Sequence, residues 1–188
     1  MSNQSQKGFS VIELLVTMFI FSIIVGISAG FLISAIGAQK RSSASQQLFD
    51  QMFHSLEYMS RALRAAEKST GSCISEGYNY EVLLGDTPGI KFIHRGECWS
   101  FVLLNEQSGG GQIVKIVGEE SPVPLTSGAT MNITDFSVIA RGHENEDQGE
   151  KQPRVTLSIQ GESATSRAEA FQSIHMQTSI SQRAYNTR

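Results

Sequence analysis

One carboxylate, Glu13, sits inside an apolar stretch that begins after Lys7-Gly8 and continues to about Ala38. Phe-Ser-Val-Ile precedes it and Leu-Leu-Val follows. Residues 14–38 contain no Asp, Glu, Lys, Arg or His. That is about 25 residues, and about 20 are enough to cross a hydrocarbon core. An ionisable side chain within such a segment is expensive and marks a functional position by default. The bland reading of Glu13 is a carboxylate that snorkels to the interface.

The other residues that could do chemistry are few. Cys73 and Cys98 are the two cysteines. They form no C-x-x-C, and no His/Cys cluster surrounds them, so neither a redox centre nor zinc is favoured. They lie in one β-rich region and are open to two readings. One is a disulfide that closes a loop of about 26 residues, adds about 3 kcal/mol and requires an oxidising compartment. The other is a pair of reduced thiols, one buried beside Trp99. Glu144, Glu146, Asp147 and Glu150 cluster in HENEDQGEK. Such oxygen ligands could hold calcium, but the EF-hand pattern is absent and a charge run is usually a solvated loop. His54, His94, His143 and His175 show no metal-ligand spacing. No nucleophile elbow occurs, and Gly109–Gly111 lacks the Lys-Ser/Thr of a phosphate loop. The residues therefore point to no enzyme, no cofactor and no metal.

The stretch KGFSVIELLV resembles the type IV prepilin family, which includes the pilins and the pseudopilins of type II secretion systems. The resemblance implies a short basic leader ending at Gly8, cut after this Gly by a membrane prepilin peptidase/methyltransferase. It implies that the new N-terminus, Phe9, is N-methylated, and that Glu13, four residues on, serves assembly. Physics agrees with these roles. Gly8 has no side chain to obstruct a protease at the backbone. Cleavage creates a charged amine on Phe9, about 6 Å along the helix from Glu13. In a filament the amine of one subunit can meet the carboxylate of its neighbour and set axial register. The end of the chain, FQSIHMQTSISQR, resembles the last strand of many minor pilins and pseudopilins, a weaker likeness that fixes no role.

These residues need particular elements to carry them. The helix signal continues past Lys40-Arg41. Leu48, Met52, Leu56, Met59, Leu63 and Ala66 recur every three or four residues. Phe49 and Phe53 widen that stripe, and Asp50, Glu57, Arg61, Arg64 and Lys68 fill the other face. Ser69-Thr70-Gly71 reads as the stop, with Gly71 as C-cap. A helix from Phe9 to Lys68 would measure roughly 90 Å if unbroken. Its first half, with Gly26, Gly30 and Gly37, would pack against other subunits. Its stripe would pack on the chain's own sheet.

Beyond Gly71 the period drops from 3.6 to 2. Expected strands are 79–84, 90–95, 99–105, 113–117, 133–140, 154–160 and 173–181. Residues 108–111 read as a hairpin loop, 121–124 as a turn and 143–152 as a solvated loop. The expected fold class is α+β and pilin-like. A long N-terminal membrane-spanning helix would pack its second half on an antiparallel β-sheet domain. The expected divisions are a leader at 1–8, a transmembrane assembly helix at 9–38, an amphipathic stem at 39–70 and a β-rich extracytoplasmic domain at 71–188.

Composition narrows the partners. The chain has 188 residues and a formal net charge of −3. From Ser69 onward there are roughly nine Lys/Arg against roughly fourteen Asp/Glu, a balance near −5 that gives no reason to expect nucleic acid. A cleavable secretory signal would have a shorter apolar core and an Ala-x-Ala-like site, and neither fits. The charges flanking the apolar run do not settle its orientation. The resemblance implies an inner-membrane precursor whose other partners are pilin or pseudopilin subunits, an inner-membrane assembly platform and membrane lipid. The function it implies is a structural, minor subunit of a type IV pilus or related pseudopilus, on the cell surface or in the periplasm. The alternatives are a type II secretion pseudopilin, a DNA-uptake pilin, or a signal-anchored extracytoplasmic binding domain or enzyme.

Overall fold

The computed structural model describes residues 8, 10–106, 110–142, 152–164 and 171–182. One helix, α1 (Val11–Arg64), precedes eight strands: β1 (Glu81–Leu83), β2 (Gly89–His94), β3 (Glu97–Glu106), β4 (Gly110–Val117), β5 (Val123–Pro124), β6 (Met131–Arg141), β7 (Arg154–Ser163) and β8 (Ser173–Ser181). The chain divides into two units, Met1–Lys40 and Arg41–Arg188.

The second unit is built on the stripe that the sequence marks. Leu48, Met52, Leu56, Met59, Ala62 and Leu63 are buried on one side of α1. Each large side chain so buried contributes about 1.5–3 kcal/mol. They share a core with Phe92, Phe101 and Ile113 of one sheet and with Phe136, Leu157 and Ile159 of another. Phe49 and Phe53 do not widen this stripe. They stack on each other with centroids 6.1 Å apart and are each 47% exposed. At 100° per residue they have turned off the buried face.

The β-domain has two antiparallel sheets, not one. The first runs β1-β2-β3-β4-β5 and the second β6-β7-β8. Backbone demand explains the break. The free side of β4 is taken by β5, by Leu125 N–H donating to Ile113 O at 2.8 Å, and by Thr126 Oγ1 accepting from Ile113 N–H at 3.0 Å. Where β6 does approach, the link is a side chain: Gly111 N–H donates to Asn132 Oδ1 at 2.7 Å. A Cβ on Gly111 would strike the carbonyl of Ile133, so only glycine allows this approach. Gly110 and Gly111, expected in a hairpin loop, are thus the start of β4 and the seam between the sheets. Val123–Pro124, expected as a turn, forms the two-residue β5.

The helix stops at Arg64, four residues before the expected end, and Gly71 does not cap it. Tertiary partners take its last groups instead. Tyr80 Oη donates to Leu63 O at 2.7 Å. Glu67 N–H donates to Ile93 O at 2.9 Å, and the Glu67 carboxylate accepts from Arg95 N–H at 3.0 Å. Gln182 Nε2 donates to Ala66 O. Gln182 also accepts from Asn79 Nδ2 at 2.9 Å, and both residues are buried. A glutamine beyond β8 therefore ties the end of the last strand to the helix end and to the loop after it. Cys73, in that same loop, is joined by a disulfide to Cys98 at the start of β3, with Cα atoms 5.5 Å apart.

Two stability predictions follow from the helix end. Gln182→Ala leaves Asn79 and the Ala66 carbonyl buried without partners, at about 1–3 kcal/mol each. Urea unfolding of the detergent-solubilised full chain, followed by the fluorescence of its one tryptophan, Trp99, should show a loss of about 2–4 kcal/mol. A change below about 0.5 kcal/mol would mean that the network carries no load. Burial pushes the Tyr80 hydroxyl well above the usual tyrosine value, because the phenolate would lose its hydration. Since the folded form holds this proton more tightly, its stability is fully present below about pH 10 and declines as pH rises further. Tyr80→Phe should lose about 1 kcal/mol at neutral pH with the bond to Leu63. It should also flatten the alkaline decline seen in the unmodified chain.

Candidate functional site

The candidate site is the start of α1. Ser10 is its N-cap: the Ser10 carbonyl accepts from Glu13 N–H at 3.1 Å and from Leu14 N–H at 3.2 Å. Glu13 therefore stands in the first helical turn. There the unpaired backbone N–H groups and the positive end of the helix dipole favour a negative charge. Ser10 and Glu13 also have the Ser-x-x-Glu spacing of a capping box, a local signal for the start of the helix. Among the described residues neither the hydroxyl nor the carboxylate has a partner. The dipole tolerates Glu13 without consuming its oxygens, which stay available to a donor from another molecule.

The rest of this unit behaves differently. Thr17 Oγ1 donates to Leu14 O at 2.9 Å, Ser22 Oγ to Met18 O at 2.9 Å and Ser28 Oγ to Ile24 O at 2.7 Å. These hydroxyls are satisfied within the helix, as a segment in lipid requires. The large apolar side chains from Val11 to Ile36 are all exposed, Phe31 at 77% and Ile33 at 72% among them. They cover the whole circumference, and none of the most apolar window is buried. A helix apolar all round belongs in a protein core or a membrane. This one is long and apolar enough to cross a membrane. Its length and composition suggest a membrane anchor.

Gly8 lies just ahead of the helix, exposed, with no atom within 4 Å of where a Cβ would stand. Phe9, the other half of the expected cleavage bond, lies outside the described residues. Gly26, Gly30 and Gly37 likewise have open space where their side chains would be.

In the second unit, Cys73 and Cys98 are far in sequence from Glu13 and are not part of this site. The acidic residues Glu144, Glu146, Asp147 and Glu150 lie outside the described residues, as does His143. Among the described residues no group of three or more His, Cys, Asp or Glu could hold a metal ion. His94 packs against Trp99 with the rings tilted by 60° and their centroids 4.6 Å apart, and its Nδ1 is buried without a hydrogen bond among the described residues. Trp99 in turn carries the Lys115 ammonium 4.8 Å above its ring. This cluster packs side chains of β2, β3 and β4 against one another.

Residues 3–29 match the family model described as the prokaryotic N-terminal methylation motif. No curated protein and no solved structure matches the chain. The matched segment holds Gly8, Phe9 and Glu13 together with the first half of the apolar helix. Such a motif implies processing by a prepilin peptidase and assembly with other pilins, and it suggests a structural protein rather than an enzyme. With this prepilin-type methylation motif at its head, a long apolar helix behind it and antiparallel sheets beyond, the chain fits the type IV pilin family.

Proposed function

We propose that this protein is a minor structural subunit of a type IV pilus or a related pseudopilus. The observation that carries the reading is the coincidence of the methylation motif at residues 3–29 with an apolar helix whose first turn presents Glu13. The precursor sits in the inner membrane through residues 9–38, with its β-domain on the far side of that membrane. The Cys73–Cys98 bridge fits an oxidising compartment there. Prepilin peptidase cuts between Gly8 and Phe9 and methylates the new amine.

Assembly then follows from electrostatics. A carboxylate in the bilayer core costs about 3 kcal/mol on insertion scales, and a cation at the same depth offsets much of it. The cleaved Phe9 amine of a neighbouring subunit is such a cation. It pairs with Glu13 in one axial position, so the pair fixes register while packing of the exposed apolar faces supplies cohesion. The assembly platform moves the helix from lipid into the filament. The charge balance of the distal domain, near −5, speaks against DNA as its ligand.

Mass spectrometry of the N-terminal peptide from protein made in its own host tests processing. It should begin at Phe9 and be one methyl group heavier. A chain beginning at Met1 or Ser2 in cells with active prepilin peptidase would reduce the motif to a chance match. Glu13→Val tests assembly separately. It should leave membrane insertion and Trp99 fluorescence unchanged and lower incorporation into sheared filaments about tenfold or more, equivalent to about 1.4 kcal/mol. Unchanged incorporation would leave Glu13 a plain interfacial residue.

A further inference from the structure

The three-stranded sheet ends on β8, which pairs with β7 along its whole length from Arg154↔Ser181 to Glu162↔Ser173. No described residue pairs with its other side. The remaining sheet edges are short, carry a proline or are broken by a bulge. β1 has three residues, and β5 has two, one of them Pro124. The free side of β6 meets β4 through Asn132. β8, by contrast, has nine residues, no proline and no Asp, Glu, Lys or Arg, and its register with β7 is unbroken. Short length, charge, proline and bulges are the devices that blunt exposed edges, and β8 has none of them. Its inward row is also incompletely covered. Ile174 and Met176 pack against the core yet are only partly buried, whereas Val155, Leu157 and Ile159 of β7 are at most 1% exposed. A strand laid along β8 would cover both and pair the outward backbone groups.

We propose that β8 is a self-association edge that pairs antiparallel with β8 of a second copy about a two-fold axis through Gln177. The sequence Ser-Ile-His-Met-Gln-Thr-Ser-Ile-Ser is close to its own reverse about that residue. In this register Ile174 opposes the partner's Ile180, and Met176 opposes the partner's Thr178. On the outer face His175 opposes the partner's Ser179, and Ser173 opposes the partner's Ser181. Apolar side chains thus meet inside, small polar ones meet outside, and no like charges face each other. Arbitrary partners would not need this symmetry, and it is what an isologous contact requires. A two-fold contact closes on itself, so it cannot repeat along one helical filament, whose subunits are related by a screw. It joins two precursors in the membrane or two subunits of adjacent filaments, and it stands whether or not the assembly role of Glu13 does.

The register makes the test specific. Gln177 is exposed, so Gln177→Cys leaves the fold intact, which Trp99 fluorescence checks. At the two-fold centre residue 177 faces itself with Cβ atoms about 5 Å apart, close to what a disulfide needs. The full-length variant in host membranes, mildly oxidised and run without reductant, should give most of the chain as a dimer. Ser179→Cys alone should stay monomeric, because two such residues lie about 13 Å apart in this register. Mixed with His175→Cys it should cross-link. Absence of the Gln177→Cys dimer would overturn the proposal, and protection of β8 amides from exchange in that case would assign the edge to a different strand. Equal cross-linking of Ser179→Cys alone would overturn it too, since random collision in the bilayer gives that result.

Discussion

The buried stripe of α1 is the surface on which both sheets depend. Met52, Met59 and Leu63 are fully buried there, beneath strands that come from the whole length of the distal chain. The inner row of β6-β7-β8 is apolar, and among the described residues this helix and the first sheet are what cover it. Close packing follows. Gly161 of β7 leaves room for the Met52 sulfur, which would stand 3.1 Å from any Cβ at that position. One stripe thus anchors both sheets, and a change to it is felt throughout the domain.

The same helix answers to a second constraint in its first half. There the side chains are apolar around the full circumference, and the polar groups fold back onto the helix backbone. Glu13 departs from that rule. Its place in the first turn gives it the favour of the helix dipole, which explains how a carboxylate is tolerated without using up its hydrogen-bonding capacity. The dipole makes the charge bearable, and no partner among the described residues takes up its oxygens.

The closing of the domain rests on polar groups as well as apolar ones. The helix end is held by Tyr80, Ile93 and Gln182, which reach it from three separate segments. Tyr80 and Gln182 donate to the Leu63 and Ala66 carbonyls, and the Ile93 carbonyl accepts from Glu67 N–H just beyond the helix. Gln182 is the most consequential, since it brings the C-terminal strand, the loop carrying Asn79 and the end of α1 to one buried point. The disulfide between Cys73 and Cys98 fastens the same loop to β3 from another direction.

Much of this was legible in the sequence. The motif around Gly8 and Glu13, the long apolar run and the stripe from Leu48 to Leu63 are local patterns, and periodicity reports local patterns well. β8 was expected at 173–181 and is found there, because its alternation is uninterrupted and its ends are polar. The sequence also carried the capping-box spacing of Ser10 and Glu13, a second local signal at the same residue. What only the tertiary structure decided are matters of which distant groups compete for the same backbone. The helix ends at Arg64 because Glu67 finds Ile93, a partner that no local propensity reveals. The sheet divides in two because Leu125 and Thr126 take the side of β4 that β6 would have used. Phe49 and Phe53 fall outside the core because the buried face is narrower than the apolar pattern. Sequence pattern specifies which residues are to be buried, and the tertiary fold specifies which partners satisfy the groups left over.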